Sequence, residues 1–314
     1  MNKRILGKNG PELTVVGFGA WAIGGPWEFG WGQVDDETSV KAIHRALDLG
    51  INWIDTAAVY GLGHSEEIVA KAVKGIRDKV FIATKCGMVW DENRKVKIHL
   101  GPSSVNKEIE NSLRRLNTDH VDLYQFHWPD PHTPVEESWA AMVKLKEEGK
   151  VRYIGVSNFD VPLLKKCMAI APVQSLQPPY NLLKREIETE ILPYCLQNGI
   201  GVVAYSPMMS GLLTGKFDIE RVAPDDWRRR DRMFQEPLLS KEIAFIEKLR
   251  PIAAKYEKTV GQLAIAWVNM NPTVTSSIVG ARNAQQVEEN VAADFRVDGE
   301  DMNKIEQALS EKLG

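Results

Sequence analysis

The sequence predicts an α/β fold in which eight strands alternate with helices and close into a barrel. Eight short apolar runs are separated by longer segments of helical period, and most of the runs are apolar on both faces, as buried parallel strands are. The length, 314 residues, suits one large α/β barrel or two compact domains. No G-x-G-x-x-G motif opens a helix, which argues against an open doubly wound sheet. We therefore predict one domain over residues 1–314, built as a (β/α)8 TIM barrel.

Each predicted strand is a short apolar run bounded by polar or turn residues. In chain order the runs are TVVGF at Thr14, NWID at Asn52, VFIAT at Val80, VDLYQF at Val121, VRYIGV at Val151, PVQSLQ at Pro172, GVVAY at Gly201 and SSIVG at Ser276. Eight runs are the number that a closed barrel of this type requires.

Helices are predicted between the strands, where capping residues and glycines frame segments of helical period. They cover 65–74, 103–116 with Ser104 and Glu108 near its start, and 134–148, which is followed by Gly149. A segment rich in Pro, Gly and charge, 206–240, follows the seventh strand. A loop of this length is typical of a functional lid or an insertion. Extra helices are predicted near the C-terminus.

Composition and charge exclude several classes of function. With 44% hydrophobic and 26% charged residues the chain is globular, and its net charge of -3 argues against a nucleic-acid partner, which requires a basic surface. No stretch reaches the ~18 apolar residues of a signal-anchored or membrane-spanning segment, so we expect no membrane partner. Three scattered cysteines, Cys86, Cys167 and Cys195, match no metal spacing and indicate a reducing, cytoplasmic location.

Four polar residues stand at or just after the ends of predicted strands, where a barrel has its active site. Asp55 ends NWID, Tyr60 follows in AAVYG, Lys85 ends FIATK and His127 ends VDLYQFH. A lysine beside a phenol is expected to lower the pKa of that phenol, and a carboxylate holds the ammonium charged. Such a set protonates an oxygen whose carbon accepts a hydride. It lacks a nucleophile with an adjacent base, so carbonyl reduction fits better than acyl transfer.

Six motifs, in order, resemble the aldo-keto reductase superfamily, closest to the bacterial general-stress and inositol-utilisation type. They are GINWIDTAAVYGLGHSEE, FIATKCG, VDLYQFHWPD, IGVSNF, AYSPMMSGLLTGK and SSIVGARNAQQVEEN. The resemblance begins at GFGAW, near Gly17, and ends at Asn290, so it covers nearly the whole chain. It implies a barrel that binds NADPH in an extended pose and acts on a small carbonyl substrate.

The resemblance also implies a role for each matched residue. Tyr60 is the general acid, Lys85 and Asp55 tune it, and His127 orients the carbonyl. The implied cofactor contacts are Gly19, Ala20 and Trp21 after the first strand; Ser157, Asn158 and Gln177 at the nicotinamide carboxamide; Tyr205 stacked on the nicotinamide; Ser206, Pro207, Met208, Gly211 and Lys216 at the pyrophosphate; and Gly280, Arg282, Gln286, Glu289 and Asn290 at the adenosine end.

Elementary physical chemistry supports the phosphate contacts. Glycines such as Gly211 and Gly280 let main-chain N–H groups approach an anion, and a helix that starts near Asn283 directs its positive end to the same place. Arg282 follows the eighth strand, and a guanidinium binds a phosphate with two parallel charge-assisted hydrogen bonds. We therefore expect Arg282 to contact the 2′-phosphate that distinguishes NADPH from NADH.

Three tryptophans, Trp21, Trp90 and Trp128, follow strand ends on the predicted catalytic face, where aromatic walls commonly shape a substrate pocket. We expect them to contact the substrate. The run from Arg228 to Arg230 is either a solvated charge cluster or a contact for the cofactor phosphates.

Two other classes of function compete with the reductase. A non-enzymatic, NADPH-binding redox-sensing subunit would keep the same four residues, as the potassium-channel β subunits of the superfamily do. The first strand begins by Thr14, which leaves no long N-terminal arm and favours the enzyme. A metal-dependent barrel enzyme needs clustered ligands, and of the six histidines only His127 is well placed, so no metal is expected. The physiological substrate, the preferred direction and the oligomeric state stay open.

Overall fold

The computed structural model describes residues 1–224 and 226–313, and its centre is a closed barrel of eight parallel strands. Neighbours in the chain are neighbours in the barrel, and the last strand pairs with the first. The predicted (β/α)8 fold and its eight strands are confirmed. The barrel strands are β3 (Val16–Gly19), β4 (Trp53–Asp55), β5 (Phe81–Cys86), β8 (Val121–Phe126), β9 (Val151–Ser157), β10 (Ser175–Gln177), β11 (Gly201–Tyr205) and β12 (Val274–Gly280).

Two antiparallel hairpins that the sequence did not predict are added to the barrel. The strands β1 (Lys3–Ile5) and β2 (Glu12–Thr14) form the first, and β6 (Met88–Trp90) and β7 (Val96–Ile98) form the second. The run expected to be the first barrel strand, TVVGF, is divided between β2 and β3. The chain changes sheet here: Thr14 pairs with Lys3 in the hairpin, and Val16 pairs with Ser277 in the barrel. The Thr14 hydroxyl donates to the carbonyl of Val16, 2.8 Å away.

The first hairpin closes the amino end of the barrel. Leu6 and Leu13 are fully buried and pack with Trp53, which begins β4. Leu6 and Leu13 together form a plug in the amino end of the barrel. Gly201 begins β11, and a Cβ there would lie 2.5 Å from Cδ1 of Leu6, so the plug requires glycine at position 201. The carboxyl ends of the strands are therefore the end at which a ligand reaches the barrel.

Among the described residues ten α-helices surround the strands, and the predicted helices at 65–74, 103–116 and 134–148 are confirmed as the second, third and fourth. The side chain of Ser104 does not cap its helix, which begins after Gly101; its hydroxyl donates instead to Glu108, 3.0 Å away. Within the described ranges, no helix is long and apolar enough to cross a membrane. The helices are α1 (Asp36–Asp48), α2 (His64–Ala72), α3 (Pro102–Leu116), α4 (Val135–Glu147), α5 (Val161–Met168), α6 (Ile191–Asn198), α7 (Leu238–Lys255), α8 (Val260–Met270), α9 (Ala284–Val291) and α10 (Gly299–Leu313).

The long segment predicted after the seventh barrel strand lies between β11 and α7. Its described residues form short 3₁₀ turns rather than regular elements, because prolines, glycines and charged residues leave it without an apolar period. The turns are Met209–Thr214, Ile219–Arg221, Trp227–Arg230 and Arg232–Phe234. This segment, the β11–α7 loop, borders the carboxyl end of the barrel.

Candidate active site

The four predicted catalytic residues meet at the carboxyl end of the barrel. Asp55 is the last residue of β4, Lys85 is the last but one of β5, and His127 directly follows β8. Tyr60 lies in a 3₁₀ turn, Tyr60–Gly63, that connects β4 to α2. Strand ends that are distant in sequence converge here because the barrel is closed and its strands are parallel.

The Lys85 ammonium is the centre of this group. Its Nζ donates to Oδ1 of Asp55 at 2.7 Å, to the carbonyl of Thr56 at 2.9 Å and to the phenol oxygen of Tyr60 at 3.2 Å. Lys85 is 1% exposed, so all three of its N–H donors have protein partners in a site that excludes water. The other carboxylate oxygen of Asp55 accepts from Nε2 of Gln177 at 2.9 Å. The arrangement holds a cation against a phenol.

Burial dominates the protonation of these groups. It raises the pKa of Tyr60 well above the usual value, with a further contribution from the Asp55 charge. The pKa of this phenol is thus shifted upward and not downward as expected, and burial is the largest cause of the shift. Burial also lowers the pKa of Lys85, and Asp55 opposes that change.

His127 packs edge-on against Tyr60, with 5.6 Å between the ring centroids. Burial, and then the charge of Lys85, lower the pKa of His127 well below its usual value. The imidazole is therefore neutral near pH 7, and one ring N–H can donate to an oxygen in front of Tyr60.

The residues predicted to hold the nicotinamide form one hydrogen-bonded group beside the catalytic set. The hydroxyl of Tyr205 donates to Oδ1 of Asn158 at 2.9 Å, and Nδ2 of Asn158 donates to the carbonyl of His127 at 3.0 Å. Ser157 Oγ donates to the main-chain carbonyl of Gln177 at 2.7 Å. Asn158 has φ of 62°, an uncommon conformation for a residue other than glycine and one that clusters at ligand sites.

The β11–α7 loop starts with the same kind of backbone. Ser206, Met209, Ser210 and Gly211 all have positive φ, from 46° to 97°, within six residues of one another. The carbonyl of Ser206 accepts from Nδ2 of Asn181 at 3.0 Å, which fixes the first of these bends. Strained backbone of this kind clusters at ligand sites, and here the N–H groups of Met209 and Gly211 donate to the carbonyls of Ser206 and Met208.

A cavity of about 340 Å³ continues from this loop, and five predicted cofactor residues line it. Two helices begin at its wall: α8, capped by Thr259, and α9, capped by Asn283. Their positive ends suit the phosphates of a dinucleotide. The lining residues are Met208, Lys216, Gln286, Glu289 and Asn290, which were predicted, and Thr214, Thr259, Gly261, Gln262, Ile265, Asn283 and Gln285, which were not, although the TVGQ capping box signalled a helix start.

Arg282 is exposed, and Nη2 donates to the main-chain carbonyl of Gln33 at 2.7 Å. Its main-chain N–H donates to Gln286, which lines the cavity. The backbone of Arg282 is thus at the cavity while its guanidinium is bonded to the loop after β3. Gly280 ends β12 and pairs with Gly19, so these predicted cofactor residues lie side by side, and Ala20 follows Gly19 in the next turn.

Aromatic rings form a wall around Tyr60. The ring centroids of Trp21 and Trp27 lie 6.4 Å and 6.3 Å from that of Tyr60, and Trp90 packs into the same cluster. Trp128 is 40% exposed and follows His127 at the rim. The predicted positions of Trp21 and Trp90 beside the catalytic group agree with the structure.

Sequence analysis missed Trp227, in the β11–α7 loop. Its ring stacks on Trp21 at 6.0 Å and meets Trp31 edge-on at 6.4 Å. Arg228 lies over the ring of Trp31 at 4.6 Å and donates to the carbonyl of Ser210 at 3.3 Å, so the first arginine of the RRR run is not a solvated charge. The signal in the sequence that could have identified this contact was the tryptophan directly before the RRR run.

In the described part of the chain, no group of three or more His, Cys, Asp or Glu side chains could hold a metal ion. The carboxyl end of the barrel thus holds a buried group of Asp55, Lys85 and Tyr60, and the cavity at the starts of α8 and α9 borders the β11–α7 loop. Segments that follow several strands, β3, β4, β8, β9, β11 and β12 among them, contribute residues to this end of the barrel.

The chain belongs to the aldo/keto reductase family, whose model matches residues 15–310. It is 41% identical to aldo-keto reductase YhdN of Bacillus subtilis (strain 168), over 98% of this chain and 95% of that protein. It is 38% identical to the NADH-specific methylglyoxal reductase of Escherichia coli (strain K12), over 93% of each. The solved structure of the glycerol dehydrogenase AKR11B4 from Gluconobacter oxydans matches with a TM-score of 0.91 and 40% identity, over 99% of this chain and 95% of that one.

Proposed function

We propose that this protein reduces aldehydes or ketones to alcohols with a nicotinamide cofactor. The observation that supports it best is the Lys85 ammonium, which bonds to both Asp55 and the phenol of Tyr60 at the barrel mouth. Membership of the aldo/keto reductase family supports the same chemistry. The substrate is a small carbonyl compound that fits between the aromatic wall and Tyr60.

In this proposal Tyr60 gives its proton to the carbonyl oxygen as the carbonyl carbon accepts a hydride. NADPH supplies that hydride when it is bound. Because its pKa is raised, the phenol is fully protonated near pH 7, and Lys85 stabilises the phenolate that remains after the transfer. Asp55 holds Lys85 in place, and neutral His127 donates a hydrogen bond that orients the carbonyl.

The residues present fit a nicotinamide dinucleotide. Ser157, Asn158, Gln177 and Tyr205 would hold the nicotinamide end. The strained start of the β11–α7 loop, with Ser206, Pro207, Met208, Gly211 and Lys216, would hold the pyrophosphate. The cavity between the starts of α8 and α9 would take the adenosine end, with Gly280, Gln286, Glu289 and Asn290.

We further propose a preference for NADPH over NADH. Arg282 begins the turn that leads into α9, and its exposed guanidinium is free to leave the carbonyl of Gln33 for a 2′-phosphate. The relative from Escherichia coli is named NADH-specific, so the preference needs a direct measurement. Titration of both cofactors against the protein, followed by tryptophan fluorescence, gives the two dissociation constants, and equal constants would contradict the preference.

Tyr60→Phe tests the proposed reaction. We expect the variant to lose at least 99% of its carbonyl reduction while its affinity for NADPH stays within a few-fold, because only the phenol proton is removed. The measurement is a screen of aldehydes, ketones and sugars that follows the loss of NADPH absorbance. A variant that keeps a tenth of the wild-type turnover contradicts the general-acid role. Wild-type protein that binds NADPH and reduces no carbonyl supports the regulatory subunit instead.

The reducing, cytoplasmic location is likewise a proposal. Cys86, Cys167 and Cys195 are free and buried, an arrangement that needs no oxidising compartment. Cell fractionation with antibody detection tests it, and recovery in a secreted fraction would contradict it. We also propose that residues 1–314 act as one domain, which a single cooperative thermal transition would support.

A further inference from the structure

The strand that carries Lys85 is anchored from behind by a buried carboxylate. Thr84 precedes Lys85 on β5, and because side chains alternate along a strand, Thr84 points out of the barrel toward the helices. Its hydroxyl donates to Oε1 of Glu66, in the first turn of α2, at 2.6 Å. Thr84 and Glu66 are both fully buried.

Ser65, the neighbour of Glu66 in α2, makes a similar contact on the Asp55 side of the ion pair. Thr56 follows Asp55, and its main-chain carbonyl accepts from Lys85. The Thr56 hydroxyl lies 2.8 Å from Oγ of Ser65, which donates to the carbonyl of Ala20 at 2.9 Å. The first turn of α2 therefore contacts the threonine hydroxyls next to Asp55 and next to Lys85, on both sides of the ion pair.

Glu66 has a second partner that reaches the turn carrying Tyr60. Nε of Arg115, on α3, donates to Oε2 of Glu66 at 2.6 Å. The Arg115 stem packs on Gly63, where a Cβ would lie 2.7 Å from Cδ of Arg115. A buried ion pair adds little stability compared with apolar residues of similar size, so stability gives no reason for a carboxylate here. The position of Glu66 behind the strand that carries Lys85 does give a reason for a carboxylate.

We propose that Glu66 is a positioning residue for Lys85. It holds β5 through Thr84 and keeps a negative charge behind the strand, so that the ammonium stays aligned with Asp55 and the phenol of Tyr60. Glu66 contacts no reacting atom, so its effect passes through Lys85. The inference rests on the proposed reductase function.

Two substitutions separate the hydrogen bond from the charge. Thr84→Val removes the hydroxyl and keeps the Glu66–Arg115 pair, and we expect kcat to fall at least tenfold while KM and the cofactor Kd stay within twofold. Thr84→Ser restores the hydroxyl and should recover at least half of kcat. A Thr84→Val enzyme with kcat within twofold of wild type, or a loss shared equally with KM, overturns the proposal.

Glu66→Gln keeps the shape and removes the charge. The titratable and charged groups that face Lys85 are Asp55 from β4, Tyr60 from the following turn, His127 after β8, and Glu66 of α2 with its partner Arg115 on α3. Of these, only the charge of Glu66 is removed. Because that charge raises the pKa of Lys85, the variant should have a lower Lys85 pKa, and the alkaline loss of activity should move to lower pH.

The Lys85 pKa can be measured without turnover, from the ¹³Cε chemical shift of labelled lysine, with the signal assigned by Lys85→Met. The control is Glu242→Gln, at a buried carboxylate of α7 that pairs with Lys312 and is not among the charges that shift the pKa of Lys85. This variant should lower stability and leave the Lys85 pKa unchanged. An unchanged Lys85 pKa in Glu66→Gln overturns the proposal. Wild-type protein that reduces no carbonyl refutes the proposed function instead, while this titration still tests the positioning role.

Discussion

The group around Lys85 illustrates which properties of single residues can be predicted from the sequence. Asp55, Lys85 and His127 could be predicted because each stands at the end of an apolar run, and a barrel brings such ends together. The direction in which the pKa of Tyr60 is shifted could not be predicted, because it depends on how completely the phenol is buried, which no local pattern records. Trp227 was missed for a similar reason: its stacking on Trp21 depends on the course of an irregular loop.

Arg282→Ala tests the cofactor preference at the level of one side chain. We expect the variant to lose about 10 to 100-fold in affinity for NADPH, or roughly 1.5–3 kcal/mol, while the affinity for NADH barely changes, because only NADPH has a 2′-phosphate. Fluorescence titration of both cofactors against both proteins measures this. The matched control is Arg296→Ala, at another exposed arginine after β12. Equal losses for the two cofactors would show that Arg282 does not contact the 2′-phosphate.

Among the elements, α3 is joined to the end of β5 by Glu108. Its carboxylate accepts from the N–H of Gly87 at 2.9 Å and from the hydroxyl of Ser104 at 3.0 Å. Burial raises the pKa of Glu108 from 4.5 to about 7. The folded protein therefore binds this proton more tightly than the unfolded chain, and the stability that results is lost as the pH rises through about 7.

Glu108→Gln removes the cost of ionising that buried group. We expect the variant to be more stable than wild type at pH 8, by roughly 2 kcal/mol, and to lose this advantage at pH 5. Urea unfolding at the two pH values measures the free energies. Glu110→Gln, on the exposed side of the same helix, is the control and should show no such difference. A Glu108→Gln variant with the same relative stability at both pH values contradicts the prediction.

The β11–α7 loop should become ordered when the cofactor binds. Its described residues form only short 3₁₀ turns, joined to the rest of the site by contacts such as that of Arg228 with Trp31. We expect NADPH to slow amide hydrogen exchange in this loop at least tenfold, because Lys216 and the loop backbone lie where the pyrophosphate would bind. Exchange in β11 serves as the internal control. Equal protection of the loop with and without NADPH would rule out a lid.

Helices and barrel strands were predicted better than the hairpins and the loop. Eight apolar runs of strand length repeat the same signal, so an error in the prediction of one strand does not change the predicted fold. The hairpins β1–β2 and β6–β7 have strands of only three residues, too short for any period to show. The division of TVVGF between β2 and β3 follows from pairing in two different sheets, which a pattern of apolar residues does not reveal.

At the scale of the whole molecule, closure of the sheet explains why the site could be assembled from a linear pattern. Because β12 pairs with β3, residues at the two ends of the chain, Gly19 and Gly280, become neighbours. The cavity for the adenosine end was predicted in part, through the residues that match the family motifs. The part of its wall formed by α8 and its cap Thr259 depends on the packing of α8 against β12 and has no counterpart in those motifs.

The plug formed by Leu6 and Leu13 leads to a prediction about the order of binding in the proposed reaction. With the amino end closed, both reactants enter and leave through one opening, and the residues proposed for the nicotinamide lie deeper than the rim at Trp128. In the proposed reaction we therefore expect the dinucleotide to add before the carbonyl compound and to depart after the alcohol. Steady-state product inhibition should show NADP⁺ competing with NADPH and the alcohol not competing with NADPH. Competition between alcohol and NADPH would mean that the two ligands reach the site independently.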